Sequence, residues 1–328
     1  RLKLDRAARI RLQRRQAAYK LAPNHLHATA IPMTFKDWGL LILVSLMWGG
    51  SFFFNAVLVE HVGPWTLTAG RVSIGALGVW LYVILSGRTI PTDPALWLLF
   101  IVLGSITYAL PFTAIAWGQQ QISGGLASII NAMNPITMLV VTHFWPGGER
   151  ATPLKFAGVM IGFAGVALFT WPKLKMGAYG ELLAYLAVYS ATLCYAVGLN
   201  LARRLRDHSP LVSAAGSLTG AALTAILFAV FVEGVPAALD PQAIYAFLGI
   251  GLISTALAFS IMYYLLPRIG PVNFSMVTFL VPISAIFLGT TFLGERMEWT
   301  QLLGMGVIFL GLAFVDGRLF RKRPRESH

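Results

Sequence analysis

From Trp38 onward, long apolar runs alternate with short polar or turn-rich breaks. Ten runs approach the ~20 apolar residues that carry a helix across a hydrocarbon core. They cover 38–59, 65–86, 95–117, 122–145, 152–171, 179–201, 210–232, 242–267, 271–293 and 298–317. Turn or charge signals separate them, among them Gly63-Pro64, Gly87 to Pro94, Pro146 to Arg150, Arg203 to Pro210 and Gly270-Pro271. The runs are continuous rather than alternating, so they predict helices and not barrel strands. Seven of the nine tryptophans (Trp38, Trp65, Trp97, Trp117, Trp145, Trp171 and Trp299) sit near run ends, where an interfacial belt places them. The expected fold class is all-α, a polytopic membrane protein with ten transmembrane helices.

Composition agrees. Apolar residues make up 57% of the 328, and only 12% are charged. A soluble chain carries about twice that share of charge. A soluble enzyme, a disordered chain and a disulfide scaffold are therefore excluded. Cys194 is the single cysteine, so no internal disulfide or thiolate metal cluster forms. The net charge of +12 belongs to the tails: residues 1–32 hold eight Lys/Arg against Asp5, and residues 318–328 hold five against Glu326. Such tails fit cytoplasmic segments facing anionic lipid better than nucleic acid. Residues 1–37 form a basic segment. Met33 is the expected start of the native chain, against the alternatives of a transit peptide or a basic surface helix before Pro23.

Loop charge orients the bundle. With the N-terminus inside, the inner loops carry Arg88, Arg150, Arg203, Arg204, Arg206 and Arg268. The outer ones carry Glu60, Glu233, Asp240, Glu295 and Glu298, with Lys173 and Lys175 as the exception. Both termini are expected in the cytoplasm, at a bacterial inner membrane.

The two halves repeat. At an offset of 147, Ala109-Leu110-x-Phe112 matches Ala256-Leu257-x-Phe259. At the same offset Ile122, Ser128, Pro135 and Ile136 match Ile269, Ser275, Pro282 and Ile283. At an offset of 146, Gly148-Glu149-Arg150 matches Gly294-Glu295-Arg296. Gly158, Gly165 and Ala167 then match Gly304, Gly311 and Ala313, and Pro64 matches Pro210. Five crossings per unit invert the second copy. Inverted repeats build alternating-access carriers with a midplane site between them.

Trp48-Gly49 in span 1, Arg71 in span 2, the Pro135 and Pro282 spans and the Gly-Glu before the last span of each half resemble the EamA-like branch of the drug/metabolite transporter superfamily. The resemblance covers 38–317, with one repeat over 38–171, an inverted one over 172–317 and a basic tail at 318–328. It implies a small-molecule carrier, commonly an exporter. The second repeat departs from the pattern in having Tyr195 where the first has Trp48. No mid-span basic cluster of the sugar-phosphate carrier type is present, which argues against a strongly anionic solute.

Candidate binding residues follow from burial cost. Pro135 and Pro282 lie mid-span and free the carbonyls of Asn131 and Thr278, so each is expected to kink its helix and line a cavity; a plain kink is the alternative. On an unbroken helix Ser128, Asn131, Pro135 and Met138 share a face, as do Ser275, Thr278, Pro282 and Ala285. Arg71 costs at least ~2.5 kcal/mol inside a span. It either holds a carboxylate or charged gate, or snorkels to an outer acid such as Glu60; a depth of about 10 Å favours snorkelling. Trp48 and Tyr195, with Asn55, Tyr108 and Tyr263 behind them, suit a pocket for an amphipathic solute, against ordinary packing. Gln119, Gln120 and Gln121 are expected to be solvated. Glu149 and Glu295 are expected to sit at the N-termini of the helices that follow them.

Signatures of catalysis are missing: no G-x-S-x-G, H-E-x-x-H or Walker loop occurs, and the six histidines are scattered. No cofactor and no metal are expected, and the expected partners are a small solute and the lipid bilayer. Together these predict a secondary carrier, an exporter, for a small organic metabolite that is amino-acid-like or aromatic. A channel-like facilitator is the alternative, and a membrane-embedded enzyme a more distant one.

Overall fold

The computed structural model describes residues 33–148, 150–235 and 238–316. The expectations for the segment before Met33, for Glu149 and for the basic tail lie outside these residues. Ten helices follow one another: α1 (Phe35–Leu58), α2 (Pro64–Leu85), α3 (Pro94–Gln119), α4 (Gly124–Phe144), α5 (Pro153–Lys175), α6 (Tyr179–Ala202), α7 (Pro210–Glu233), α8 (Pro241–Gly270), α9 (Val277–Phe292) and α10 (Trp299–Asp316). Eight are long and apolar enough to cross a bilayer; α5 and α9 contribute shorter apolar stretches. Large apolar side chains such as Leu77, Leu85, Phe156 and Phe231 point outward, as a lipid-facing surface requires.

Helix starts follow local rules. Proline opens α2, α3, α5, α7 and α8, where its missing N–H has no intrahelical partner anyway. Asp93 and Asp240, 147 residues apart, each cap the adjoining helix by accepting from the backbone two residues on, at 3.0 and 2.9 Å.

Packing obeys a pseudo-two-fold that exchanges the repeats. α5 packs on α10 and α2 on α7; α1 on α9 is mirrored by α6 on α4, and α2 on α8 by α7 on α3. The correspondence reaches single side chains. Gly70 gives room to the Phe247 ring, and their repeat mates Gly216 and Phe100 meet in the same way. Between α5 and α10 the backbones touch at two symmetric points: a Cβ on Gly158 would lie 2.6 Å from the Gly311 carbonyl oxygen, and one on Gly165 would lie 2.8 Å from that of Gly304. Glycine is required there so that two helices can approach without intervening side chains.

The two prolines do not play equivalent parts. α4 is interrupted at Ala132-Met133, where Met133 N–H turns back to Ile130 O at 3.0 Å, and Pro135 opens the second piece. The upstream turn relieves the clash between a proline ring and the carbonyl four residues earlier. The shared face drawn through Ser128, Asn131, Pro135 and Met138 is therefore broken. In the second repeat Pro282 stays inside α9, and the interruption falls earlier, at Ser275-Met276, after Gly270 has bent the chain at φ 75°.

Gly158→Ala is expected to destabilise the bundle by about 1–3 kcal/mol through overpacking. Gly306→Ala, on the same α10 but with nothing within 4 Å of the added methyl, should cost nothing. Thermal unfolding of both variants in detergent checks this, and an equal response would remove the α5–α10 backbone contact as a constraint.

Candidate functional site

Two π-helical bulges set up the middle of the bundle. Ser105–Ala109 in α3 and Gly249–Leu257 in α8 widen the helix by one residue, and the second contains the repeat mates of the first. In α3 the bulge closes when Leu110 N–H bonds Ser105 O, five residues back, one position before Pro111, which has no N–H to give. In α8 the Thr255 hydroxyl takes the carbonyl of Ile250 at 2.8 Å. An added residue re-aims the side chains beyond it. The Ala-Leu-x-Phe motif of each repeat lies at the exit of its bulge, so Phe112 and Phe259 turn into the space between the repeats.

There they join a continuous aromatic cluster. Tyr195 (α6) meets Phe112 at 6.5 Å between centroids, Phe112 meets Tyr108 at 5.8 Å, and Tyr108 meets Phe259 at 5.7 Å. Phe259 then meets Trp48 (α1) edge-on at 6.2 Å, and Trp48 meets Phe274 at 5.9 Å. The pseudo-two-fold runs through the cluster, because Tyr195–Phe112 and Trp48–Phe259 are repeat mates of one another.

Arg71 lies beside it. The residue is 5% exposed; its Nε donates to Thr255 Oγ1 at 3.4 Å, and its guanidinium carbon stands 3.6 Å from the centre of the Phe112 ring. No ion pair joins it to Glu60, so the snorkelling expectation is corrected. The guanidinium turns inward because a bulged α8 offers Thr255 and α3 offers an aromatic face, neither of which spacing within α2 reveals.

The two ends of the bundle differ. At the acidic end, Asn55 Nδ2 donates to Gln119 Oε1 at 3.1 Å, and Gln119 Nε2 donates to the Phe52 carbonyl at 2.9 Å. Gln119 is thus buried between α1 and α3, a correction to its expected solvation. Glu295 accepts from Gly124 N–H at 2.8 Å and Gly125 N–H at 3.0 Å. It caps α4 rather than its own α10, because Gly294 (φ 65°) turns the loop back toward the bundle. Glu233 does the same for α2, accepting from Trp65 N–H and Thr66 N–H at 2.8 Å each. A vestibule of about 650 Å³ lies outside this seal, lined by Glu60, Gln121 and Glu295 among others. At the basic end, a cavity of about 240 Å³ runs between Arg206 and His208 and the half-buried Tyr108 and Tyr263, with the buried Ser217 in its wall. Its wall holds Ala202, the repeat mate of Asn55, where no polar bridge can form. Beside it, Asp37 pairs with Arg268 at 3.3 Å.

The sequence-derived candidates thus separate. Trp48, Arg71, Tyr108 and Tyr195 come together, and Tyr263 lines the cavity with Tyr108. Asn55 belongs to the acidic-end seal. Asn131 sits at the α4 interruption with its Oδ1 buried and no donor among the described residues, and Thr278 occupies the first turn of α9, half-buried. Sequence reasoning passed over Phe112, Phe259 and Thr255, and assigned Gln119 to solvent. The signal for the two phenylalanines was present, since they are part of the strongest repeat match.

A ten-helix bundle of two repeats with apolar flanks has the architecture of a membrane transport protein. The sequence profile of the EamA-like transporter family matches residues 38–171 and again 182–315, and the chain belongs to that family. Similar proteins include the transporter YoaV of Bacillus subtilis, 24% identical over 286 residues covering 86% of this chain and 97% of YoaV. The inner membrane transporter YedA of Escherichia coli K12 is 22% identical over 88% of this chain and 93% of its own. A probable amino-acid metabolite efflux pump of Salmonella typhimurium is 25% identical over 90% of this chain and 100% of its own. A crystal structure sharing 18% identity has the same fold, with a TM-score of 0.62 over 88% of this chain and 99% of its own.

Gln119→Ala leaves Asn55 without its partner. Breaking a buried pair of this kind costs about 1–3 kcal/mol, so the acidic end should open more often. A cysteine at Ser51, one turn below, in a Cys194→Ser background, is expected to react roughly fivefold faster or more with an impermeant maleimide applied to that end. An unchanged rate would show that the Asn55–Gln119 bridge does not hold the end shut.

Proposed function

We propose that the protein is a secondary, alternating-access carrier that exports a small organic metabolite with an aromatic or amino-acid-like body. One observation carries the reading: a pseudo-symmetric aromatic cluster between inverted repeats shares Tyr108 with a cavity at one end, while hydrogen bonds bridge α1 and α3 at the other. A path open on one side only is what a carrier needs between its two states, whereas a channel needs both ends open together. Aromatic rings with polar tips bind amphipathic solutes by burying the body and orienting the tip.

Loop charge favours a cytoplasmic side for the basic end, with Arg88, Arg203 and Arg268, and for both termini. Loading would then take place from inside, the direction of export. The names of the similar proteins support transport at an inner membrane rather than catalysis, and one supports a metabolite of amino acids as cargo.

Reconstitution into liposomes tests this. Flux of a metabolite pool should saturate and be competed by unlabelled solute; flux that rises linearly without competition would sink the carrier reading. In the same assay Trp48→Ala with Tyr195→Ala should lower transport about tenfold or more at low solute concentration, given ~0.5–1.5 kcal/mol per lost aromatic contact beyond area burial, with insertion unaffected. Unchanged kinetics would take both residues out of the pocket.

A further inference from the structure

We infer that Arg71 is the anchor for a substrate carboxylate, so that the carrier selects solutes combining an apolar or aromatic body with a single negative charge. The inference rests on the carrier reading and deepens it by naming the charge class of the solute.

Arg71 is a buried cation without a counter-charge. Its neighbours, the Thr255 hydroxyl, the Phe112 ring and the Tyr195 phenol, are all neutral. Among the described residues no carboxylate comes within ion-pair distance of it, and only Nε has a hydrogen-bond acceptor. Among the described residues no acceptor meets the terminal Nη1 and Nη2 groups. A buried charge in this condition is unfavourable until an anion reaches it.

The geometry leaves the correct part of the group free. Phe112 stacks on the face of the guanidinium, whereas carboxylate oxygens bind along its edge, in the plane of the N–H donors. Face and edge do not compete, so the ring holds the fork in place while its donors remain available.

Pseudo-symmetry adds a direction. The repeat mate of Arg71 is Ser217, and that of Thr255 is Tyr108; both line the cavity reached from the basic end. A site built twice from aromatics thus carries one cation on one side. A carboxylate would sit at Arg71, with its apolar body toward Phe259 and Trp48. One guanidinium balances one carboxylate but not a doubly charged phosphate. An ammonium group has no acid to meet, because every Asp and Glu among the described residues lies in a loop or an end turn.

The test uses the purified full chain in detergent and four probes sharing one body: 3-phenylpropionate, phenylalanine, 3-phenylpropanol and 3-phenylpropylamine. Equilibrium binding of 3-phenylpropionate should be about tenfold or more tighter than that of the alcohol and the amine, the scale of a charge-assisted hydrogen bond. Phenylalanine should fall between the carboxylate and the amine. Arg71→Gln should erase the preference for the carboxylate while leaving alcohol binding within about twofold, and Arg71→Lys should keep part of it. A purely structural role for Arg71 would weaken all four probes alike and would overturn the inference. Equal binding of carboxylate, alcohol and amine to the wild-type protein would overturn it too, whatever the folding of the variants. Saturable flux without carboxylate preference removes this inference and leaves the carrier standing. Carboxylate-selective binding without flux does the reverse.

Discussion

Hydrocarbon supplies no water to a backbone N–H or C=O, so each must be satisfied within the protein. The π-bulges in the middle of the bundle are placed under that constraint. The π-bulges of α3 and α8 lie where α6 and α1 cover them, and their loosened carbonyls are taken by residues five positions on or by the Thr255 hydroxyl. The free N-termini of α2 and α4 are closed by carboxylates reaching over from α7 and from the α9–α10 loop. The mid-bundle irregular backbone therefore lies where helices of both repeats meet.

Duplication explains the shape of the site and divergence explains its chemistry. An odd number of crossings makes the second copy upside down, and equal packing then forces a two-fold through the midplane. Phe112 and Phe259, Trp48 and Tyr195, and Gly70 and Gly216 keep the two halves superimposable. Two of the differences between them bear directly on the site. Arg71 against Ser217 puts a charge on one side, and Asn55 against Ala202 puts a hydrogen-bonding group at one end only. A symmetric scaffold with two asymmetric side-chain choices is enough to give the cavity both a polarity and a closed end.

Charge is otherwise kept away from the middle. Glu233 and Glu295 sit at the rim, where helix N-termini and exposed water share the cost of a carboxylate. Asp37 and Arg268 form their pair at the opposite rim. Against that background Arg71 stands apart: cation–π contact with Phe112 holds it in place but does not cancel its charge. An electrostatically incomplete site is a normal condition for a binding protein between ligands, since an anion then contributes more by arriving.

Much of this was legible in the sequence. Ten apolar runs give ten helices, with prolines and aspartates marking their starts, because lipid makes length and hydropathy decisive and caps act within one turn. The repeat and its inversion follow from residue offsets and the parity of five. The direction of Arg71, the burial of Gln119 and the reach of Glu295 to α4 were not legible, nor was the α4 interruption upstream of Pro135. Each depends on a partner more than 60 residues away or on how two helices share a strained turn. Sequence fixes what a segment can be when its surroundings are uniform, as lipid is. Which long polar side chain meets which neighbour is settled only when ten helices are packed together, because those contacts are made between elements and leave no period within any one of them.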